Sequence, residues 1–141
     1  MAYATTQDMV SRFGQQEVIA LTDRENSGEI DEAVLAPALT EATAEIEGYL
    51  AARYALPLAS PPRLVVGICC DIARYRLSGG SVLETDPVRN RYRDAVRLLE
   101  QIGAGKVSLG LTPAGQPAPT AAGVSVQPGQ RSFPAGSLED W

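Results

Sequence analysis

Four oxygen-bearing side chains, Asp23, Glu25, Ser27 and Asp31, stand at alternating positions around Gly28 in the stretch TDRENSGEID. This is the spacing of a calcium loop. Asp23, Glu25 and Ser27 would be its first, third and fifth ligand positions, Gly28 its sharp turn, Ile30 its apolar plug and Asp31 its ninth position. The twelfth position, where such loops place a bidentate Glu, is Val34, although Glu32 is close by. A hard cation that takes about six to eight oxygens would lack its strongest ligand here. The plainer reading is a capped turn between two helices, which needs a glycine for the same reason. Calcium binding through this loop stands as the alternative.

Other chemistry is thinly provided for. The chain has no histidine, which removes Ser-His-Asp and Cys-His nucleophilic sites and every His-based zinc site. Its two cysteines, Cys69 and Cys70, are adjacent, a spacing that suits neither a disulfide nor a metal clamp. They read as small buried hydrophobes. Lys106 near Ser108 has no second feature to make it a nucleophile's base, and no glycine-rich phosphate loop is present. The expectation is a protein that is not an enzyme and carries no cofactor.

The elements that must position these residues are helical. Thr5 and Asp8 make a capping box that opens a short helix with Met9, Val10 and Phe13 on one face, ended by Gly14. A second short helix is expected over residues 15–21. The longest helical period runs over 32–56, with Leu35, Leu39, Ala42, Ile46, Tyr49 and Leu50 on one face and Glu41, Glu45 and Glu47 on the other. Pro57, Pro61 and Pro62 make a corner, with Ser60 as the expected N-cap and Pro61 as the first residue of the next helix. That helix, through Leu77, is apolar nearly all round at its start and reads as central, with Asp71, Arg74 and Arg76 on its wet side. Asp86-Pro87 opens a last helix with Val88, Tyr92, Ala95, Val96, Leu99 and Ile102 as its stripe, stopped by Gly103 and Gly105. From Ser108 the period vanishes and five of the ten prolines crowd in. Val124 to Val126 reads as one short strand. The fold class is therefore all-α: a small bundle of four to five helices over residues 1–107, with an extended Pro/Gly-rich arm over 108–141.

With 141 residues, 45% hydrophobic and 21% charged, the chain fits one ordinary globular domain. No apolar run approaches a membrane span. The first ten residues lack a basic, then apolar, signal pattern, so an intracellular product is expected. The net charge of −5 hides a division. Residues 1–50 carry ten acids against Arg12 and Arg24, whereas residues 53–106 carry nine bases against five acids. Such a chain can attract copies of itself head to tail, or neutralise its own halves. Arg89, Arg91, Arg93 and Arg97 lack interleaved aromatics and are diluted by Asp94 and Glu100, so they read as a solvated or subunit-facing helix surface more than a nucleic-acid site. Phe133, Leu138 and Trp141 put apolar bulk on the arm and suggest docking on a neighbour.

The blocks YATTQDMVSRFG, LTDRENSGEIDEAVLAPALTEATAEIEGYLAARYALPL, CCDIARYRLSGG, VRNRYRDAVRLLEQIGAGKVSLGL and RSFPAGSLEDW together resemble one family, the Mu-type head–tail connector (adaptor) proteins of tailed phages and prophages. The resemblance covers nearly the whole chain. EIEGYLAARYALPL, DIARYRL and RYRDAVRLLEQIGAGKVSLGL are its most specific pieces. It implies a helical adaptor domain assembled as a twelvefold homo-oligomeric ring between the portal protein and a tail-side neck protein. Double-stranded DNA would pass through the lumen without sequence-specific binding. It also implies assembly in the bacterial host cytoplasm and final residence in the virion neck. Many relatives look richer in Asp and Gly after LTDR; Glu25-Asn26-Ser27 departs from that and weakens the calcium alternative. Glu41, Glu45, Glu47, Arg89, Arg93, Arg97, Phe133, Leu138 and Trp141 are the candidate subunit or partner contacts.

Overall fold

The structure, a computed structural model, describes residues 2–78 and 86–112. These form five helices and no strand: α1 (Thr6–Phe13), α2 (Gln15–Thr22), α3 (Glu32–Leu50), α4 (Arg63–Ser78) and α5 (Asp86–Gly103). Val124 to Val126 and the expected docking residues Phe133, Leu138 and Trp141 lie outside the described residues.

Local signals account for most boundaries. Thr5 accepts from the Asp8 amide while the Asp8 carboxylate accepts from the Thr5 amide, so the capping box forms as its spacing predicts. Gly14, at φ 91°, takes a backbone that a β-carbon would strain, and α1 and α2 meet there. Thr22 extends α2 one residue past expectation: its fully buried hydroxyl donates to Val18 O and accepts from the Asp31 amide, tying α2 to the start of α3. Asp31 caps α3 by accepting from the Ala33 amide.

Two boundary expectations are corrected. Helix α3 stops at Leu50, not Leu56: the Arg53 and Tyr54 amides both close on Leu50 O, and the chain then leaves the helix. The reason is tertiary. Arg53 donates to Ile102 O at the end of α5, and buried Tyr54 accepts from the Leu109 amide, so both residues turn towards α5. Helix α4 begins at Arg63, because its first 5→1 bond runs from Val66 N to Pro62 O, which displaces Ser60 from the capping position. Pro37 is interior to α3, past the amides that a first turn leaves unbonded.

Helices α3 and α4 pack along each other, and each touches every other helix. The α1–α2 pair and α5 do not touch one another, so they flank this central pair from different sides. The core is Leu35, Ala42, Ile46 and Leu50 of α3 against Val65, Cys69, Ile72 and Ala73 of α4, sealed by Met9, Val18, Leu99 and Ile102. Removing such side chains from water is the main favourable contribution to folding. Val107, Leu109 and Leu111 also pack on this core, so the described body continues past residue 107. Both cysteines are buried and free, and burial pushes the Cys70 thiol up to about 12, leaving it protonated and unreactive.

The wet side expected for α4 is a further correction. Asp71 is buried and takes a two-pronged bond from Arg12 of α1, Nε to Oδ1 at 3.0 Å and Nη2 to Oδ2 at 2.8 Å. Arg74 pairs with Glu17 of α2 and lies over the Phe13 ring at 4.5 Å. A helical wheel of α4 alone cannot show the α1–α2 pair that covers this side.

Helix α5 approaches the α3 backbone closely at Gly103. A β-carbon there would sit 2.8 Å from the Tyr49 carbonyl oxygen, a backbone atom that cannot rotate away. Gly103→Ala is therefore expected to cost about 1–3 kcal/mol through displacement of α5. The urea midpoint reads this out; an unchanged midpoint would mean the two helices are not held this close.

Candidate functional site

The three glutamates expected to form an outward acidic face of α3 are each engaged within the chain. Arg76 of α4 spans two of them, Nη1 to Glu41 Oε2 at 3.3 Å and Nη2 to Glu45 Oε2 at 3.0 Å. The other oxygen of Glu45 accepts from the Tyr92 hydroxyl of α5 at 2.8 Å. Glu47 accepts from the Tyr3 hydroxyl at 2.8 Å, and that hydroxyl in turn accepts from the Leu58 amide at 3.0 Å. Glu45 is thus the hub of a cluster that joins α3, α4 and α5, while Glu47 anchors both the N-terminal segment and the corner after α3. Glu41 remains the most exposed of the paired acids.

Tyr92 lies flat on Tyr75, with ring centroids 4.0 Å apart and an interplanar angle of 10°. This aromatic pair forms the floor of a cleft of roughly 420 Å³ whose walls are Arg89, Arg93, Val96, Arg97 and Glu100. Arg89, Arg93 and Arg97 recur every four residues, which lines them along one face of α5 at about 6 Å intervals. All three are exposed. Arg93 and Arg97 have no carboxylate partner among the described residues. The predicted arginines are therefore brought together, and beside them are two tyrosines that periodicity marks only as core residues. The signal for Tyr75 and Tyr92 was their type: each carries a polar tip that buried packing must satisfy or leave at the edge.

The 23–31 loop has the backbone wrap of a cation loop, with left-handed turns at Asn26 (φ 56°) and Gly28 (φ 79°). Its first carboxylate is committed to that wrap. Asp23 Oδ1 accepts from the Ser27 amide and hydroxyl, and Oδ2 accepts from the Gly28 amide. These donors, Gly28 first, hold the Asp23 carboxyl below its ordinary range. Asp31 is turned to the cap of α3, while Glu25 is exposed. Among the described residues no three Asp, Glu, Cys or His side chains converge to hold a metal ion.

Residues 3–128 match the family described as Bacteriophage Mu, Gp36. The chain belongs to that family. Over 112 residues, 79% of this chain and 78% of the relative, it is 39% identical to "Gene product J" of Escherichia phage Mu. Over 110 residues, 78% of this chain and 77% of the relative, it is 34% identical to "Mu-like prophage FluMu protein gp36" of Haemophilus influenzae. A phage-derived, all-α chain is thereby established. Among the described residues of this Gp36-family chain, no helix is long and apolar enough to cross a membrane.

The two anchoring tyrosines predict an alkaline dependence. Burial, with a neighbouring glutamate, pushes both Tyr3 and Tyr92 up to about 12 from an ordinary 10.0. The folded state then holds these protons more tightly than the unfolded state does. The stability this linkage contributes is fully present below pH 10.0 and is lost as pH rises through about 12. Urea midpoints should fall across that window, and Tyr3→Phe or Tyr92→Phe should each flatten the fall. A fall of the same steepness in both variants would remove these hydroxyls as its cause.

Proposed function

We propose that this Gp36-family chain is a structural adaptor of the phage neck. Copies close into a ring between the portal and a tail-side neck protein, and double-stranded DNA passes through the lumen. The proposal gives the chain no catalytic step and no resident cofactor. Assembly takes place in the host cytoplasm and the product resides in the virion.

One observation carries the reading beyond family membership. After the internal pairs Arg12–Asp71, Arg74–Glu17 and Arg76–Glu41/Glu45 are formed, the charge left over is divided between separate parts of the body. Arg91, Arg93 and Arg97 remain on α5, exposed and without an ion pair among the described residues, and outnumber the exposed acids Asp94 and Glu100 of that helix. Glu25 and Glu29 remain, likewise exposed and unpaired and outnumbering the exposed Arg24 beside them, on the loop leaving α2, a helix that makes no contact with α5. Opposite charges on different surfaces suit a head-to-tail contact, the kind that generates a ring when its rotation closes. Acidic surface facing a lumen would repel phosphate and let DNA slide.

Electron microscopy of neck complexes or tailed particles from the parent phage tests this. Density for the five-helix body is expected as a closed ring at the portal's tail side. Particles whose neck lacks this chain would overturn the proposal. Calcium has no role in this reading, since Asp23 is spent on its own loop. Calorimetric titration of the chain with calcium is expected to release no heat and to leave the melting temperature in place. Heat with accompanying stabilisation would restore the 23–31 loop, through Asp23, Glu25, Ser27 and Asp31, as a metal site.

A further inference from the structure

We infer that the arginine-walled cleft on α5 is the receptor for the acidic, aromatic segment 132–141 of a second copy of the chain. The inference rests on the ring reading only for its choice of a second copy; the cleft and its charge stand without it.

The cleft has two halves of different chemistry. Its floor is the stacked Tyr75–Tyr92 pair beside Val96, an apolar and aromatic platform at the boundary of α4 and α5. Its wall is the row Arg89, Arg93 and Arg97, diluted only by Glu100. Tyr92 is held in place from behind through Glu45 and Arg76, so the platform is rigid before anything docks on it. A ligand for such a site needs a flat apolar group for the platform and adjacent carboxylates for the row.

The segment SFPAGSLEDW has both. Glu139 and Asp140 give it two consecutive negative charges, flanked by Leu138 and by Trp141, the sole tryptophan of the chain. The segment lies outside the described residues. An indole stacks on tyrosine and accepts the approach of arginine, and each arginine can take a carboxylate through two parallel bonds. The segment's two acids and aromatic ring thus complement the row and the platform in charge and in chemical type. A DNA backbone would use the arginines alone and leave the platform of Tyr75, Tyr92 and Val96 without a partner. Between residue 112 and Ser132 stand 19 residues that include Pro113, Pro117, Pro119 and Pro128. Proline-rich linkers extend about 3.1 Å per residue, so 19 residues span roughly twice the length of α3, enough to reach a neighbour's α5.

Trp141 reports on the contact directly, because indole emission moves to shorter wavelength when the ring leaves water. The full chain is diluted from the millimolar to the micromolar range while emission is followed. A blue-shifted emission at high concentration that is lost on dilution is expected. The double variant Arg93→Glu/Arg97→Glu should lack the shift, and so should Glu139→Arg/Asp140→Arg, with helix content by circular dichroism unchanged in both. Mixing these two variants should restore the shift, because the acidic cleft of one then meets the basic segment of the other. Emission typical of water at every concentration would overturn the inference. A shift untouched by the arginine substitutions would place the segment elsewhere and overturn it too. A shift independent of concentration, regained only when all four substitutions share one chain, would make the occupant the chain's own segment and not a second copy's. Duplex DNA that binds through Arg93 and Arg97 while Trp141 emission stays solvent-like would turn the cleft into a phosphate surface. None of these outcomes decides whether the chain resides in a neck, and absence from the neck would leave the cleft test standing.

Discussion

Helix α4 touches all four other helices, and that enclosure forces every charged residue along its middle to find a partner on a neighbour. Asp71 cannot keep its charge in a covered position without compensation, so Arg12 of α1 must arrive with both of its forks. Arg74 calls in Glu17 of α2, and Arg76 calls in Glu41 and Glu45 of α3. Three charged residues within two turns of one helix thereby fix the placement of three others. Apolar burial drives the bundle together, but it is non-directional. The ionic contacts discriminate between this arrangement and a rotated one, because rotating α4 would leave Asp71 covered and unpaired. Exposed pairs such as Arg76–Glu41 add little stability by themselves. Their effect is to select the register.

This also explains which parts of the molecule were legible in the sequence. Helix existence, the Thr5–Asp8 box, the Asp31 turn and the buried Cys69–Cys70 pair depend on neighbours close along the chain, and all are as the spacing predicts. The end of α3 at Leu50 was not legible, because it is set by Arg53 and Tyr54 reaching residues about fifty positions away. The same holds for the side of α4 that carries Asp71 and Arg74. Periodicity gave it to solvent because charge on one helix face is ordinarily solvated. It could not know that α1 and α2 lie there with complementary charge. Charge counting by halves held the clue: ten acids early and nine bases late require either a partner copy or internal pairing. The described residues show pairing for Glu17, Glu41 and Glu45, and leave exposed charge over at, among others, Glu25 and Glu29 beside Arg24, and Arg91, Arg93 and Arg97 beside Asp94 and Glu100.

That remainder is where function has to be sought. Groups with intrinsic reactivity are consumed by the architecture. The Cys69 thiol faces Thr43 and Leu39 O, the Tyr3 hydroxyl has both a donor and an acceptor partner, and Asp23 is wrapped by its own loop. A group so committed can be recruited for binding or catalysis only after its present partners are lost, and a buried polar atom left behind costs about 1–3 kcal/mol. The α5 arginines carry no such obligation to a carboxylate at Arg93 and Arg97, and they stand beside an aromatic platform braced by Glu45. The adaptor proposal draws on that division of labour between an interior that fixes register and an exterior that is left charged.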